Sequence, residues 1–135
     1  MDLVQRVTLV QAVAALLAAC GDPGPESSVV LVPVPTQSPP PLFGIGPQAC
    51  PGALLEGILV RHDEAGLAVE HADGISSVVV WPHGYVARDA ERRELLHRSG
   101  HVVAREGDLI RAGGGFFPPN DAFHPCGDIE VEARP

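Results

Sequence analysis

The sequence predicts an all-β domain, either a small barrel or a compact sandwich, from its composition, its short apolar runs and the glycines between them. The chain has 15 Gly and 14 Pro, and it is 45% hydrophobic but only 4% aromatic. Turns and stiff connections must therefore take up much of its length, which disfavours a helical bundle. After Ala49 the apolar runs are short and rich in Val, Ile and Leu, the pattern of strands. The segments between them almost all contain Gly, which supplies the positive φ that tight turns require. With 135 residues there is room for one small domain at most, because a stable core commonly needs about 100 residues.

The first element is expected to be an export signal. Residues 1–19 carry a single basic residue, Arg6, followed by an apolar run from Val7 to Ala19 that ends in small residues. Such an order marks a signal peptide, and the run is too short and Ala-rich for a bilayer-spanning helix of about 20 apolar residues. It ends in Leu17-Ala18-Ala19-Cys20, which resembles the lipobox of bacterial lipoproteins at all four positions: a Leu, two small residues and a Cys. The resemblance implies that the Cys20 thiol receives a diacylglyceryl group, that the signal is cut before it, and that Cys20 begins the mature protein. Each buried acyl methylene contributes about 0.8 kcal/mol, so two or three chains on one Cys anchor stably where a single chain does not. Two blander readings of the segment are an ordinary secretory signal with a coincidental Cys, and an apolar N-terminal helix of a cytosolic protein.

A tether is expected next, over residues 20–48. Eight prolines lie between Gly21 and Gln48, among Ser, Thr, Gln and Gly. Proline removes backbone donors and fixes φ, so polyproline-like extension at about 3.1 Å per residue would make a spacer of several tens of ångströms. Ser28-Val29-Val30-Leu31-Val32 resists that description, because its residues are those of a strand. If it joins the domain it does so at an edge, since Pro33 and Pro35 forbid an interior position.

The folded body is expected over residues 49–135. Its strand candidates are Leu54–Val60, Leu67–His71, Ser76–Trp81, Glu94–His97, His101–Ala104, Leu109–Ala112 and Ile129–Ala133. Asp89–Arg98 could instead form a helix capped by Asp89 and stopped near Gly100, but Leu95 and Leu96 make no apolar stripe, which favours turn then strand. Gly113-Gly114-Gly115 reads as a turn, and Phe116-Phe117-Pro118-Pro119-Asn120 as a turn or lid. Five or more strands in so short a body fit a small Greek-key barrel. With the run from Gly100 to Ile110, the body resembles an OB-type barrel in outline, while a sandwich would produce nearly the same string. Fold and function are separable, so no activity follows from that likeness.

Removing Cys20 from the three cysteines leaves Cys50 and Cys126, near the two ends of the body. An even pair in an exported domain implies a disulfide, and closing a loop of that length would stabilise by about 4 kcal/mol on the chain-entropy model. No Cys-x-x-Cys spacing suggests a redox or metal role.

The six histidines, at 62, 71, 83, 97, 101 and 124, have no metal-ligand spacing. His97 and His101 would make a ligand pair only on a helix; on strands they flank a Gly turn. No metal or other cofactor is therefore expected. Nor is there a Gly-x-Ser-x-Gly elbow or a phosphate loop after the three glycines. Asp63-Glu64 and Glu130 with Glu132 read as charged strand faces rather than catalytic carboxylates. The most site-like cluster is Trp81-Pro82-His83-Gly84-Tyr85, which holds the only Trp and the only Tyr, with Phe116 and Phe117 as possible neighbours. Aromatic rings with a polar handle suit sugar and peptide pockets, and they equally suit a small core.

All nine basic residues are Arg, and against 17 acidic residues they leave a formal net charge of −8. Nucleic acid and anionic lipid headgroups are therefore poor candidate partners, and no nucleic-acid partner is expected, because polyanion binding usually needs a basic face to release counterions. The expectation is a non-catalytic lipoprotein of the cell envelope, held to the membrane through lipid on Cys20, that binds an envelope protein or a small ligand. Candidate binding residues are Trp81, His83, Tyr85, Phe116 and Phe117. The alternatives are a small extracytoplasmic ligand-binding protein, which needs Trp81 and Tyr85 exposed in a concavity, and a small hydrolase or metal-dependent enzyme, which needs His62, His83 and His101 clustered.

Overall fold

A computed structural model describes residues 28–39 and 50–135. The expected signal peptide, Cys20 and the remainder of the expected tether lie outside the described residues. Within them the protein is all-β, with nine strands: β1 (Leu31–Val32), β2 (Ala53–His62), β3 (Gly66–Glu70), β4 (Ser76–Val78), β5 (Val86–Arg88), β6 (Glu94–Leu96), β7 (Val102–Arg105), β8 (Leu109–Phe117) and β9 (Ala122–Glu132). They form a five-stranded antiparallel sheet in the order β4-β3-β2-β8-β9 and a four-stranded antiparallel sheet in the order β1-β5-β6-β7. Asp89–Arg98 is turn followed by strand, as its lack of an apolar stripe predicts.

The larger sheet curls until its outer strands meet. Just past β4, Val79 forms a parallel bridge with Phe123 of β9, and the Val80 N–H donates to the Phe123 carbonyl at 2.8 Å. The sheet is thus barrel-like. The alternating pattern of β2 puts Leu55, Gly57 and Leu59 inside and Leu54 and Glu56 outside, as period-two strand geometry requires. Leu55, Leu59, Leu67, Val69, Val79, Trp81, Ile110 and Phe123 are fully buried in one cluster, which also takes in Ala87, Leu95 and Ala104 of the smaller sheet. The two sheets therefore share a single core.

The expected tether is shorter than residues 20–48, because residues 30–37 belong to the folded body. Leu31 and Val32 pair with Arg88 and Ala87, and the Asp89 N–H donates to the Val30 carbonyl. This is the edge position that the two prolines leave open. Farther along, the Trp81 N–H donates to the Pro35 carbonyl at 2.9 Å and the Gln37 N–H to the Trp81 carbonyl at 2.8 Å. The Gln37 Nε2 then donates to the carbonyls of Val80, at 3.2 Å, and Pro125, at 2.8 Å. Residues 30–37 form a strap that starts on the smaller sheet and ends on the barrel seam. Gly66 of β3 lies against the Pro33 carbonyl and the Val32 and Val34 side chains, so the first four residues of β3 are buried although the strand alternates.

Gly113–Gly115 is strand, not turn. A Cβ at Gly114 would collide with the His124 carbonyl and the Phe123 ring, so the absence of a side chain is what lets β9 lie against β8 there. The pairing shifts register nearby: Ala112 faces Ile129 and Gly114 faces Pro125. One residue of β8 is therefore matched by Cys126, Gly127 and Asp128 of β9, a bulge made possible by Gly127 at φ 90°. Phe116 and Phe117 follow as the last residues of β8, at the tip of its hairpin with β9.

Gln37 offers a test of the strap. Gln37→Ala leaves the half-buried Val80 carbonyl and the buried Pro125 carbonyl each short of a donor. Thermal or urea denaturation should show a loss of about 1–3 kcal/mol, against less than about 0.5 kcal/mol for exposed Thr36→Ala. Equal stability of the two variants would mean that the strap contributes little.

Candidate functional site

Two strand features, the β6–β7 hairpin and the β9 bulge, face each other across a concavity. In the hairpin turn, the His97 N–H donates to the His101 carbonyl at 2.9 Å, and the Gly100 N–H to the His97 carbonyl at 2.8 Å. The turn thereby sets His97 and His101 side by side, with ring centroids 4.6 Å apart and planes 18° from parallel. Tyr85, just before β5, meets His97 edge to face at 5.4 Å. Opposite them, the bulge brings Gly127 and Asp128 to the rim. Val102, Val103, Ile129 and Val131 complete an open groove of about 500 Å³. The phenol of Tyr85 is pushed above its ordinary pKa, first by burial and then by the negative charge of Asp128.

Ser99 ties the two imidazoles together. Its Oγ lies 2.9 Å from His97 Nδ1 and 2.7 Å from His101 Nδ1, and its N–H donates to His97 Nδ1 at 3.1 Å. One proton arrangement serves all three contacts: His101 Nδ1–H donates to Ser99 Oγ, and the Ser99 hydroxyl and N–H converge on His97 Nδ1. His101 Nε2 then carries a lone pair, so this ring can accept a hydrogen bond.

The expected site residues separate. Trp81 is fully buried in the core, and its indole Nε1 has no hydrogen-bond partner among the described residues, so it is not part of a binding platform. Tyr85 is partly exposed and lines the groove. His83 is exposed in the turn between them. Phe116 and Phe117 remain 45% and 41% exposed and do not line the groove; Phe116 packs on Phe123 and Phe117 on His124. The other histidines have local tasks. His62 Nδ1 accepts from the Ala65 N–H, while His71 bridges the Glu56 carbonyl and the Ser77 hydroxyl. His62, His83 and His101 thus sit in three different turns, and no group of three metal-ligating side chains occurs among the described residues. His97, Ser99, His101 and Asp128 were not legible as a site, because their meeting depends on a hairpin register and on a bulge 25 residues farther along. The only sequence sign was the pair of histidines flanking a Gly turn.

Most of the arginines are taken up by carboxylates. Arg61 pairs with Glu106 and Asp89, Arg93 with Asp89, Arg88 and Arg105 with the buried Glu94, and Arg111 with Glu56 and Glu132. Arg92 pairs at 2.7 Å with Asp108, which is only 3% exposed. Asp108 also accepts the N–H groups of Arg105 and Arg134, and its own carbonyl accepts the Leu59 N–H. Burial alone would raise the Asp108 carboxyl, but these two N–H groups and the Arg92 guanidinium outweigh it and hold its pKa below the ordinary value of 3.8. Burial likewise opposes the shift at Glu106, whose carboxyl is nevertheless lowered by the Arg93 N–H and Arg61.

Acid titration should show this directly. A carboxyl with a depressed folded pKa contributes stability that is complete above its unfolded value and is lost as pH falls through the folded one. Stability should therefore hold above about pH 5 and fall progressively below about pH 4. Asp108→Asn should lower stability at pH 7 by about 2–3 kcal/mol and flatten the acid limb; an unchanged limb would remove Asp108 as its source.

Comparison with known proteins finds no family model, no curated protein and no solved structure that matches this chain, so its function rests on its own residues and geometry.

Proposed function

We propose that this protein is a lipid-anchored lipoprotein of the cell envelope, and that its extracytoplasmic β domain is a non-catalytic binding module. The observation that carries the reading is the pairing of the two cysteines left once Cys20 is set aside. Cys50 and Cys126 form a disulfide with a Cα–Cα distance of 5.9 Å across a sequence separation of 76. A structural disulfide in a small domain suits an oxidising compartment, and the Leu17-Ala18-Ala19-Cys20 motif supplies both the export route and the anchor. The strand order of the larger sheet, with its parallel closure between Val79 and Phe123, supports the OB-type resemblance of the body. The binding surface is the groove between the β6–β7 hairpin and the β9 bulge. Tyr85 and the imidazole pair offer flat faces and hydrogen bonds, the valines and Ile129 an apolar floor, and Asp128 an acceptor. Such a lining suits a small neutral or cationic ligand with hydroxyl or amide groups, such as a sugar or a short peptide. With most of its described arginines paired to carboxylates and a net charge of −8, the domain is a poor match for polyanions.

Cells fed a labelled fatty acid should mark the wild-type protein and not Cys20→Ala; label on both would end the lipoprotein reading. Under non-reducing conditions the mature domain should yield Cys50 joined to Cys126, and Cys126→Ser should lose about 4 kcal/mol of stability. For the groove, a panel of envelope sugars and short peptides should include one that shifts the amide resonances of His101, Val103 and Asp128. Tyr85→Ala should weaken that ligand about tenfold or more, and no shift with any member would remove the groove as the binding surface.

A further inference from the structure

The strap changes how far the domain can stand from its anchor. A spacer running from Cys20 to Gln48 would span about 90 Å at a polyproline rise of ~3.1 Å per residue. Because the Val30 carbonyl is already bonded to Asp89 and Leu31–Val32 is paired with β5, only eight residues, nine Cα–Cα steps, separate Cys20 from Val29. Even fully extended, they reach about 30 Å.

The strand edge at which this leash arrives is apolar, although the neighbouring β2–β3 turn carries exposed Asp63 and Glu64. Val29, Val30 and Leu31 are 65%, 52% and 57% exposed. The charges beside them are compensated, since Arg88, opposite Leu31, pairs with Glu94, and Asp89 pairs with Arg61 and Arg93. The opposite end is defined by the long strand β2. Val32 and Val34 lie against Gly66, which pairs with His62 at one end of β2. At its other end Ala53 pairs with Gly114, roughly 30 Å away at ~3.3 Å per residue, and the Phe116–Phe117 tip lies beyond it.

We propose that the edge Val29-Val30-Leu31 rests on the lipid surface that holds the anchor, with the Phe116–Phe117 hairpin tip pointing away from it. The proposal builds on lipidation of Cys20. A short leash keeps the edge within reach of the bilayer at high effective concentration, so three half-exposed apolar side chains suffice where they would not hold a free protein. The orientation leaves the hairpin tip directed toward partners outside the membrane. A second copy is a poorer occupant, since the edge is short and Pro33 and Pro35 prevent a continuing ladder.

The test uses the acylated protein, purified from membranes and reconstituted in phosphatidylcholine vesicles containing lipids brominated near the headgroup end of the acyl chains. Bromine quenches indole fluorescence at contact, and buried Trp81 supplies a constant background. Val30→Trp should be quenched at least threefold more than wild type, and Phe116→Trp should match wild type. Val29→Trp, at a more exposed position, provides a second reporter should Val30→Trp perturb the strap. Mass spectrometry of the N-terminal peptide reads the anchor separately. Acylated Cys20 without added quenching at Val29 or Val30 overturns the docking and leaves the lipoprotein reading standing, as does stronger quenching at Phe116. An unmodified Cys20 overturns both.

Discussion

The structure depends on the backbone of Val79-Val80-Trp81, which is shared by two partners. On one side Val80 donates to Phe123 and closes the barrel; on the other Trp81 exchanges hydrogen bonds with Pro35 and Gln37 of the strap. Beneath this seam the Trp81 ring fills the core with Phe123, Val79 and Leu55. Backbone amides in such a position must be paired, because a buried unpaired N–H or C=O costs about as much as several good contacts supply. Only a few residues remain between Trp81 and β5, so the seam also fixes where the smaller sheet begins. Tyr85 takes its place at the groove for that reason, and the strap is held there by the same bonds.

Burial and charge follow a related logic at the other end of the barrel. The turn between β7 and β8 carries a carboxylate, Asp108, into the interior, where two backbone N–H groups and Arg92 compensate it. Glu94 is buried between Arg88 and Arg105 in the same way. Two enclosed carboxylates would be costly alone; with partners they fix the strand ends rather than add much net stability. The groove is different. Its hydrogen bonds run among Ser99, His97 and His101, and its Tyr85 and Asp128 side chains remain partly accessible rather than paired to arginine.

Much of the fold was legible in the sequence because strand chemistry is local. The runs at Leu54–Val60, Leu67–His71 and Leu109–Ala112 lie within or overlap β2, β3 and β8, and the turn at Arg98–Gly100 sits where Gly marked it. What escaped was non-local. Val86–Arg88 is three residues long and has no pattern of its own, and it becomes a strand by being caught between β1 and β6. Gly113–Gly115 looks like a turn until β9 is laid against it. Trp81 and Tyr85, four residues apart, seemed one cluster, yet one fills the core and the other faces the groove.

By itself the sequence determined the all-β class, the two cysteines available for pairing, the negative balance of charge and the motif that points to a lipid anchor. Each depends on composition or on a few adjacent residues, whose conformational preferences act over one turn or one strand. Only the tertiary structure decided that residues 30–37 are a strap rather than a spacer, that the glycine run is strand, and that His97, His101, Tyr85 and Asp128 share a groove. Those outcomes depend on register and on a bulge, which arise when distant strands compete to satisfy their backbone and bury their side chains together, and no stretch of chain encodes that competition alone.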